Sequence, residues 1–372
     1  MIDLEVGWVG TRGNRRGKKR KASQVSELDL DALFARIERP DDDVREEARA
    51  ALDRLVLPVG GLGRLGELVV WLAGVQGRTP PRPLAAIRLL VLAADHGIAE
   101  EGVSAWPSDA TARLAARIVS GDAPVNVVAR LAGVPVHVHE VALYMDNDDH
   151  ASVNPRLRRP SGHIDIEDAM SHDEAAAAIS AGIAMADEAI DAGADLLVLA
   201  DVGVGSTTPA AALIGLMTGS DASQVIGRGS GIDDATWMRK CAAIRDAMRR
   251  ARPVLGDQVA LLATAGGADL ALGTGLLLGS AARRVPVVLD GVVSAAAALV
   301  AQRIAFRSAG WWVVAHRTGD PAQELALDRL SLEPLLDLGI HVGEGVGAMA
   351  AVPLLQAASA LLAEVGPWDS GS

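Results

Sequence analysis

Aromatic side chains are scarce: one Tyr, two Phe and seven Trp stand in 372 residues. Half of the residues are nevertheless hydrophobic, so the core must be built from Ala, Val, Leu and Ile. Side chains this small let helices lie close on a sheet, and 39 glycines suit tight strand-to-helix turns. A single cysteine, Cys241, excludes an internal disulfide framework and a cysteine-based metal cluster. Positive charge is also in deficit. With 35 Lys and Arg against 47 Asp and Glu, the formal charge is −12, which argues against a basic face that tracks nucleic-acid phosphates. No secretory signal opens the chain: Met1 to Gly10 carries Asp3 and Glu5, and a basic cluster follows it. A cytoplasmic protein is the expectation.

At this length one large domain with a smaller one is the natural arrangement. Residues 1–25 stand apart: Arg12, Arg15, Arg16, Lys18, Lys19, Arg20 and Lys21 crowd together without apolar periodicity, as in a solvated, disordered tail. Its glycines do not make a phosphate loop, because Lys19 stands where Ser or Thr is needed. From Ser26 the pattern is helical, through Leu28, Leu30, Leu33 and Ile37, then Ala48 to Leu55 and Leu65 to Leu72. The period then changes. Short runs at Ile87–Ala93, Val134–Val141, Leu196–Ala200, Val259–Ala263, Val285–Leu289 and Trp311–Ala315 read as six strands. Helical stretches separate them: Ala110–Ala132, Asp173–Ala192, Pro209–Met217, Ala235–Arg250, Leu270–Ala282 and Ser294–Ala309. This alternation predicts an α/β fold with a mostly parallel six-stranded sheet covered by helices on both faces. The polar stretch Met145–His163 reads as an exposed insertion or a lid.

In such sheets ligands bind beyond the carboxyl ends of the strands. Those ends are chemically rich: Asp95-His96-Gly97, Asp201 with Gly203-Val-Gly205-Ser-Thr-Thr208, Thr264-Ala-Gly266-Gly267, Asp290-Gly291 and His316-Arg317. Only Glu140 is less telling. At the third end Thr207 and Thr208 are placed to cap a helix, and free amides there favour an anion such as phosphate. A second loop, Gly227-Arg228-Gly229-Ser230-Gly231, precedes the helix carrying Lys240. Together the loops suggest a phosphate monoester; singly, each is as readily a plain turn. Neither is a dinucleotide fingerprint, no serine stands in a nucleophile elbow, and His96, His137, His139 and His316 are too scattered for a metal site.

One more carboxylate stands out. Glu344 lies between Gly343 and Gly345, before a run to Ala363 with no charged side chain. Desolvation there would raise its pKa and strengthen it as a base; a solvated turn is the plainer reading. The apolar run raises the question of a membrane span, but Pro353, Gln356 and Ser359 point to a buried helix.

Several segments together resemble the nicotinate-nucleotide–dimethylbenzimidazole phosphoribosyltransferases of cobalamin nucleotide-loop assembly. They are Ala93-Ala-Asp95-His96-Gly97, Glu101-Gly-Val-Ser104-Ala-Trp106-Pro107, Ala123-Pro-Val-Asn126, Asp201 to Pro209, Gly227 to Asp234, Leu289-Asp290-Gly291 and Glu333 to Gly345. The likeness runs in order from about Pro40 to Val365. It implies a Rossmann-like domain at 83–323, a small helical domain from 26–82 with 324–372, and a homodimer. It also implies transfer of the phosphoribosyl group of nicotinate mononucleotide to 5,6-dimethylbenzimidazole, with no metal or other cofactor, no nucleic-acid partner and no membrane. Glu344 matches the catalytic base, and Asp201 matches an acidic position that steadies the ribose, aids proton transfer or only braces its loop. The implied substrate-binding set is Gly203, Gly205, Ser206, Thr207, Gly227, Arg228, Gly229, Ser230, Lys240, Asp95, His96, Ser104 and Asp290. Trp106 is either a pocket wall or core.

The sequence also departs from the pattern. Ser206 replaces the usual Asn, Asp320-Pro-Ala-Gln323 replaces Glu-Pro-Gly-His, and Gly60-Gly61 and Gly66 alter an early motif. The alternatives these leave open are a non-catalytic nucleotide-binding relative and a transferase with another acceptor base.

Overall fold

The computed structural model describes residues 29–58, 60–143 and 160–365. The basic tail at 1–25 and most of the 145–163 stretch lie outside the described residues. Three helices come first, Leu30–Arg36, Asp42–Leu52 and Arg64–Gln76, as the sequence pattern predicts. Asp29 and Asp41 cap the first two, accepting from Ala32 N at 2.8 Å and Val44 N at 3.0 Å.

Six strands follow: β1 (Ile87–Ala94), β2 (Val136–Ala142), β3 (Leu196–Val202), β4 (Val287–Leu289), β5 (Trp312–His316) and β6 (Pro334–Leu336). They form one sheet in the order β2-β1-β3-β4-β5-β6, with every pairing parallel. The chain leaves β1 toward β2 and then returns to β3 on the other side of β1. The order therefore reverses between β1 and β3, and a crevice opens there at the carboxyl ends.

Two expectations need correction. Val259–Ala263 is not a strand but part of the helix Gln258–Ala265, whose start is capped by Asp257 Oδ1 accepting from Val259 N and Ala260 N, both at 3.0 Å. A short apolar run cannot be assigned by periodicity alone, and Ala and Leu favour the helix here. The sixth strand is instead β6, at the edge beside β5 and beyond residue 323, joined only through the Val314–Pro334 and His316–Leu336 registers. The expected helix Ala110–Ala132 is also two, Ala110–Ser120 and Pro124–Ala132, divided at Gly121, whose φ is 87°.

The scarcity of aromatics shows in the packing. Helix His172–Asp191, opened by a Ser171–Glu174 capping box, lies against helix Ala268–Ala282 with backbones nearly touching. A methyl on Gly275 would fall 1.9 Å from Ile179 O, and one on Gly182 would fall 1.9 Å from Leu272 O. Helix Val346–Glu364 is the one helix among the described residues that is long and apolar enough to cross a membrane. Here it packs on Arg64–Gln76, Pro124–Ala132 and β5, with Leu355 and Ala358 fully buried, as a helix of the folded body. Gly275→Ala should force the helix pair apart and lower stability by about 2 kcal/mol. Thermal unfolding checks this, and Gly256→Ala, where an added methyl meets open space, serves as the neutral control.

Candidate active site

A cavity of about 710 Å³ opens at the carboxyl ends of β3, β4 and β5. Its floor is the turn after β3, where Gly203, Val204 and Gly205 lead into helix Thr207–Thr218. The buried hydroxyl of Thr111, from helix Ala110–Ser120, accepts from Val204 N at 3.1 Å and pins that turn. The cap position is Ser206, not Thr207 or Thr208, and its hydroxyl does not cap. It donates instead to Asp201 Oδ2 at 3.0 Å. Thr207 Oγ1 accepts from Lys240 Nζ at 2.6 Å, while Thr208 is buried with no partner for its hydroxyl among the described residues.

Lys240 is 2% exposed. Besides Thr207 its ammonium reaches Gly227 O at 3.4 Å. Burial depresses its pKa to about 8, opposed by the nearby charge of Asp320. Asp320 is itself pushed up by burial, with Lys240 pulling the other way. Its carboxylate lies where a side chain at Gly227 would stand, 2.0 Å from the Cβ position. A buried ammonium beside a glycine loop and a helix start, with one displaced carboxylate as its counter-charge, is suited to a phosphate.

Loop 227–231 behaves differently from its sequence reading in one respect. Arg228 turns its guanidinium onto its own loop, donating to Ile232 O at 2.7 Å and Asp234 Oδ1 at 2.6 Å. Arg228 therefore braces the loop from within the cavity lining. Ser230 Oγ accepts from Ala105 N at 2.9 Å and lies 3.1 Å from Ser104 Oγ, tying the loop to the segment that carries Trp106. Trp106 is half-exposed on the cavity wall and is not core.

Glu344 enters from the other direction. Gly343, Glu344 and Gly345 have φ of 79°, 60° and 92°, three successive left-handed residues. The middle one is costly, roughly 1–2 kcal/mol for a residue with a Cβ. The backbone is held by Glu344 N donating to Asp201 O at 3.2 Å, so Glu344 is anchored to the end of β3. Its Oε2 is buried without a hydrogen-bond partner among the described residues. Desolvation raises its pKa; Arg117 opposes and the charge of Asp290 adds to the rise. Such a carboxylate is a stronger base than an exposed one.

Beneath the cavity lies a layer of buried charge. Burial and the negative charges of Asp269 and Asp290 push Asp201 up to about 7, against the Ser206 hydroxyl and His96. His96 Nε2 lies 3.2 Å from Asp269 Oδ2. Burial disfavours its charged form, but Asp269, with Asp95 and Asp201, outweighs that and holds its pKa above the ordinary value. Asp290 is 1% exposed, with both oxygens bonded to the Glu344 loop and to His316.

Of the residues expected at the site, Glu344, Asp201, Gly203, Gly205, Ser206, Thr207, Arg228, Gly229, Ser230, Lys240 and Ser104 line one cavity. Asp95, His96 and Asp290 do not; they are buried outside its lining. Gly227 contributes its carbonyl to Lys240 from behind the cavity wall. Sequence reasoning missed Thr111, Asp269, Asp320 and Thr318. Asp269 had a signal, since it follows Gly266-Gly267. Thr111 had none, because its role depends on a helix lying across a distant loop. His137 and His139 stand on β2, away from the cavity, and burial depresses His139 to about 4.

A doubly wound parallel sheet with a buried ammonium and a desolvated carboxylate in one cavity fits a phosphoribosyl-transferring enzyme, and a family model described as phosphoribosyltransferase matches residues 37–371. The chain belongs to the nicotinate-nucleotide–dimethylbenzimidazole phosphoribosyltransferase family. It is 55% identical to the protein of that name from Streptomyces avermitilis over 344 residues, 92% of each chain. The Mycobacterium tuberculosis protein of that name is 47% identical over 90% of this chain and 93% of its own. Among solved structures, CobT from Thermus thermophilus superposes with a TM-score of 0.83 at 35% identity, covering 87% of this chain and 97% of its own.

The electrostatics can be tested at two groups. Lys240 loses its charge as pH rises through about 8, so the KM for a phosphorylated substrate should climb above that pH. Lys240→Met should raise that KM at pH 7 by roughly 10- to 100-fold and abolish the climb; steady-state kinetics across pH checks both. Asp201 keeps its proton in the folded state up to about 7 but loses it near the ordinary 3.8 when unfolded. Its contribution to stability is therefore complete at low pH and is lost as pH rises through about 7. Asp201→Asn should melt higher than the parent at pH 8, by about a few degrees, with the gap narrowing steadily as pH is lowered.

Proposed function

We propose that the protein transfers the 5-phosphoribosyl group of nicotinate mononucleotide to 5,6-dimethylbenzimidazole, with Glu344 as the general base. The observation that carries this reading is the pairing of a buried, unpartnered carboxylate oxygen with a buried ammonium in one cavity. The phosphate sits against Lys240, Thr207 and the turn at 203–206. The ring nitrogen of the acceptor attacks C1′ as the bond from C1′ to the nicotinate nitrogen breaks, and the leaving nitrogen takes the bonding pair. The other ring nitrogen gives its proton to Glu344. Attack from the face opposite nicotinate converts a β-nucleotide into an α-riboside, so the cavity must hold both rings in line. The products are α-ribazole 5′-phosphate and nicotinate.

Trp106, Leu114 and Val342 supply apolar wall for a flat acceptor, and Ser104 supplies a polar edge. Asp201, half-protonated near neutrality and bonded to Ser206, is placed to steady the ribose. A cytoplasmic homodimer is part of this reading, as is the preference for dimethylbenzimidazole over other bases.

Nicotinate release from nicotinate mononucleotide and dimethylbenzimidazole tests the reaction. Binding of the nucleotide without release would point to a sensor, the reading suggested by Ser206 and Gln323. Competition between acceptors in one tube decides base preference. For the base itself, Glu344→Gln should lower kcat by about 100- to 10,000-fold with nucleotide affinity kept. In the parent, kcat/KM should fall on the acid side at a pH above the ordinary Glu range, because Glu344 must be ionised and burial raises its pKa. Near-normal turnover of the Gln variant would remove Glu344 from this role.

A further inference from the structure

We propose that Asp290 and His316 are positioning residues for Glu344, a buried clamp that holds the base in its left-handed loop and joins the ends of β4 and β5 to the helix behind it. The proposal rests on Glu344 being the base. Asp290 follows β4 directly, and its own backbone N–H is fixed to Leu199 O at 3.1 Å. Its Oδ2 accepts from Gly345 N at 3.0 Å and its Oδ1 from Ala348 N at 2.8 Å. Those two amides belong to the start of helix Val346–Glu364, whose cap residue Gly345 offers no side-chain cap of its own. Asp290 thus caps the helix from a distant strand, and a carboxylate suits the positive end of the dipole.

His316, the last residue of β5, holds Asp290 in turn: Nε2 lies 3.1 Å from Oδ1. The imidazole also supports the helix sterically. A methyl on Gly347 would fall 2.0 Å from His316 Cδ2, so the first helical turn lies directly on the ring. The clamp therefore has three parts, a carboxylate on two amides, an imidazole on the carboxylate and a glycine on the imidazole. All three are buried, at 1% exposure for the two side chains. Left-handed backbone at a residue with a Cβ persists only where its surroundings over-determine it, and these contacts fix the residue immediately after Glu344.

The clamp also contributes to the charge that Glu344 feels, after burial and Arg117. Asp290 raises its pKa and Arg117, from helix Ala110–Ser120, lowers it. Asp201, whose carbonyl accepts from Glu344 N, and His316 and His341 stand along the same cavity.

The test compares Asp290→Asn, His316→Gln and His316→Leu. In Asp290→Asn one acceptor becomes a donor facing an N–H. We expect kcat to fall by about 100-fold, the KM for nicotinate mononucleotide to stay within about 3-fold, and the acid limb of kcat/KM to move to lower pH because a negative charge beside Glu344 is gone. His316→Gln keeps an N–H donor at the Nε2 position and should lose no more than about 5-fold, whereas His316→Leu should fall as far as Asp290→Asn. Amide exchange at Gly345 and Ala348 reads the clamp without the reaction. Faster exchange in Asp290→Asn supports it; unchanged exchange overturns it, as does an unmoved acid limb. If Asp290→Asn does not fold, the histidine pair decides, and equal activity of Gln and Leu overturns the proposal. If Glu344→Gln is fully active while exchange in Asp290→Asn is fast, the base assignment fails and the clamp stands as a purely structural cap.

Discussion

Buried charge at the carboxyl edge of the sheet governs the rest of this structure. Asp290, Asp269 and the partly covered Asp201 lie together, with the imidazoles of His96 and His316 as partners of Asp269 and Asp290. Removing carboxylates from water is unfavourable unless hydrogen bonds and opposite charge compensate. Each one here is accordingly tied to backbone or to an imidazole, or else keeps its proton. Asp290 takes the first course and Asp269 the second; Asp201 takes the third, sharing Ser206 and being pushed to about 7. Asp269 and Glu344 each keep one buried oxygen, Oδ1 and Oε2, without a hydrogen-bond partner among the described residues. Of these two carboxylates only Glu344 lines the cavity, so its unsatisfied oxygen is the one placed at the ligand-accessible face.

The layer can exist because the surrounding core is rigid and finely fitted. Small residues let helix His172–Asp191 and helix Ala268–Ala282 meet at Gly182 and Gly275 with their backbones in contact. The second of these helices carries Asp269 in its first turn, so its closeness to the sheet brings that carboxylate to His96. A core filled with aromatics would hold the same helix farther out. The lack of Phe and Tyr is thus part of how the site is assembled.

The sequence made most of this legible where a pattern was long or a chemical group stood at a predicted strand end. β1 to β5 were each found within two residues at either end. Val259–Ala263 misled because five apolar residues before a glycine-rich end fit a strand or a buried helix equally. Only Asp257 beneath Val259 and Ala260 decides it. β6 was hidden by its length of three residues and by a proline at its start, which an edge position tolerates. At the site, the cavity-lining residues were readable because glycine loops and isolated charges are local signals. The division between lining and supporting residues was not. Asp95, His96 and Asp290 end strands as Asp201 does, yet they lie below the cavity, and no local pattern reports depth.

The departures from the family pattern gain a physical meaning in the turn after β5. Gln323 is wholly buried, accepting from Thr318 N and Thr318 Oγ1 at 2.7 Å each and donating to His316 O at 3.0 Å. Where the resemblance expects histidine, a neutral amide does the bracing, so the brace itself does not titrate near neutral pH. That turn begins at His316, which holds Asp290 and through it the Glu344 loop, and reaches Asp320, which faces Lys240. One short segment thus joins the support of the Glu344 loop to the counter-charge of Lys240. Bracing it with a group insensitive to pH leaves the shifted groups of this segment at its two ends, His316 and Asp320, both held above their ordinary range. Its three hydrogen bonds hold the two ends of the segment, and so the supports of the Glu344 loop and of Lys240, in a fixed relation.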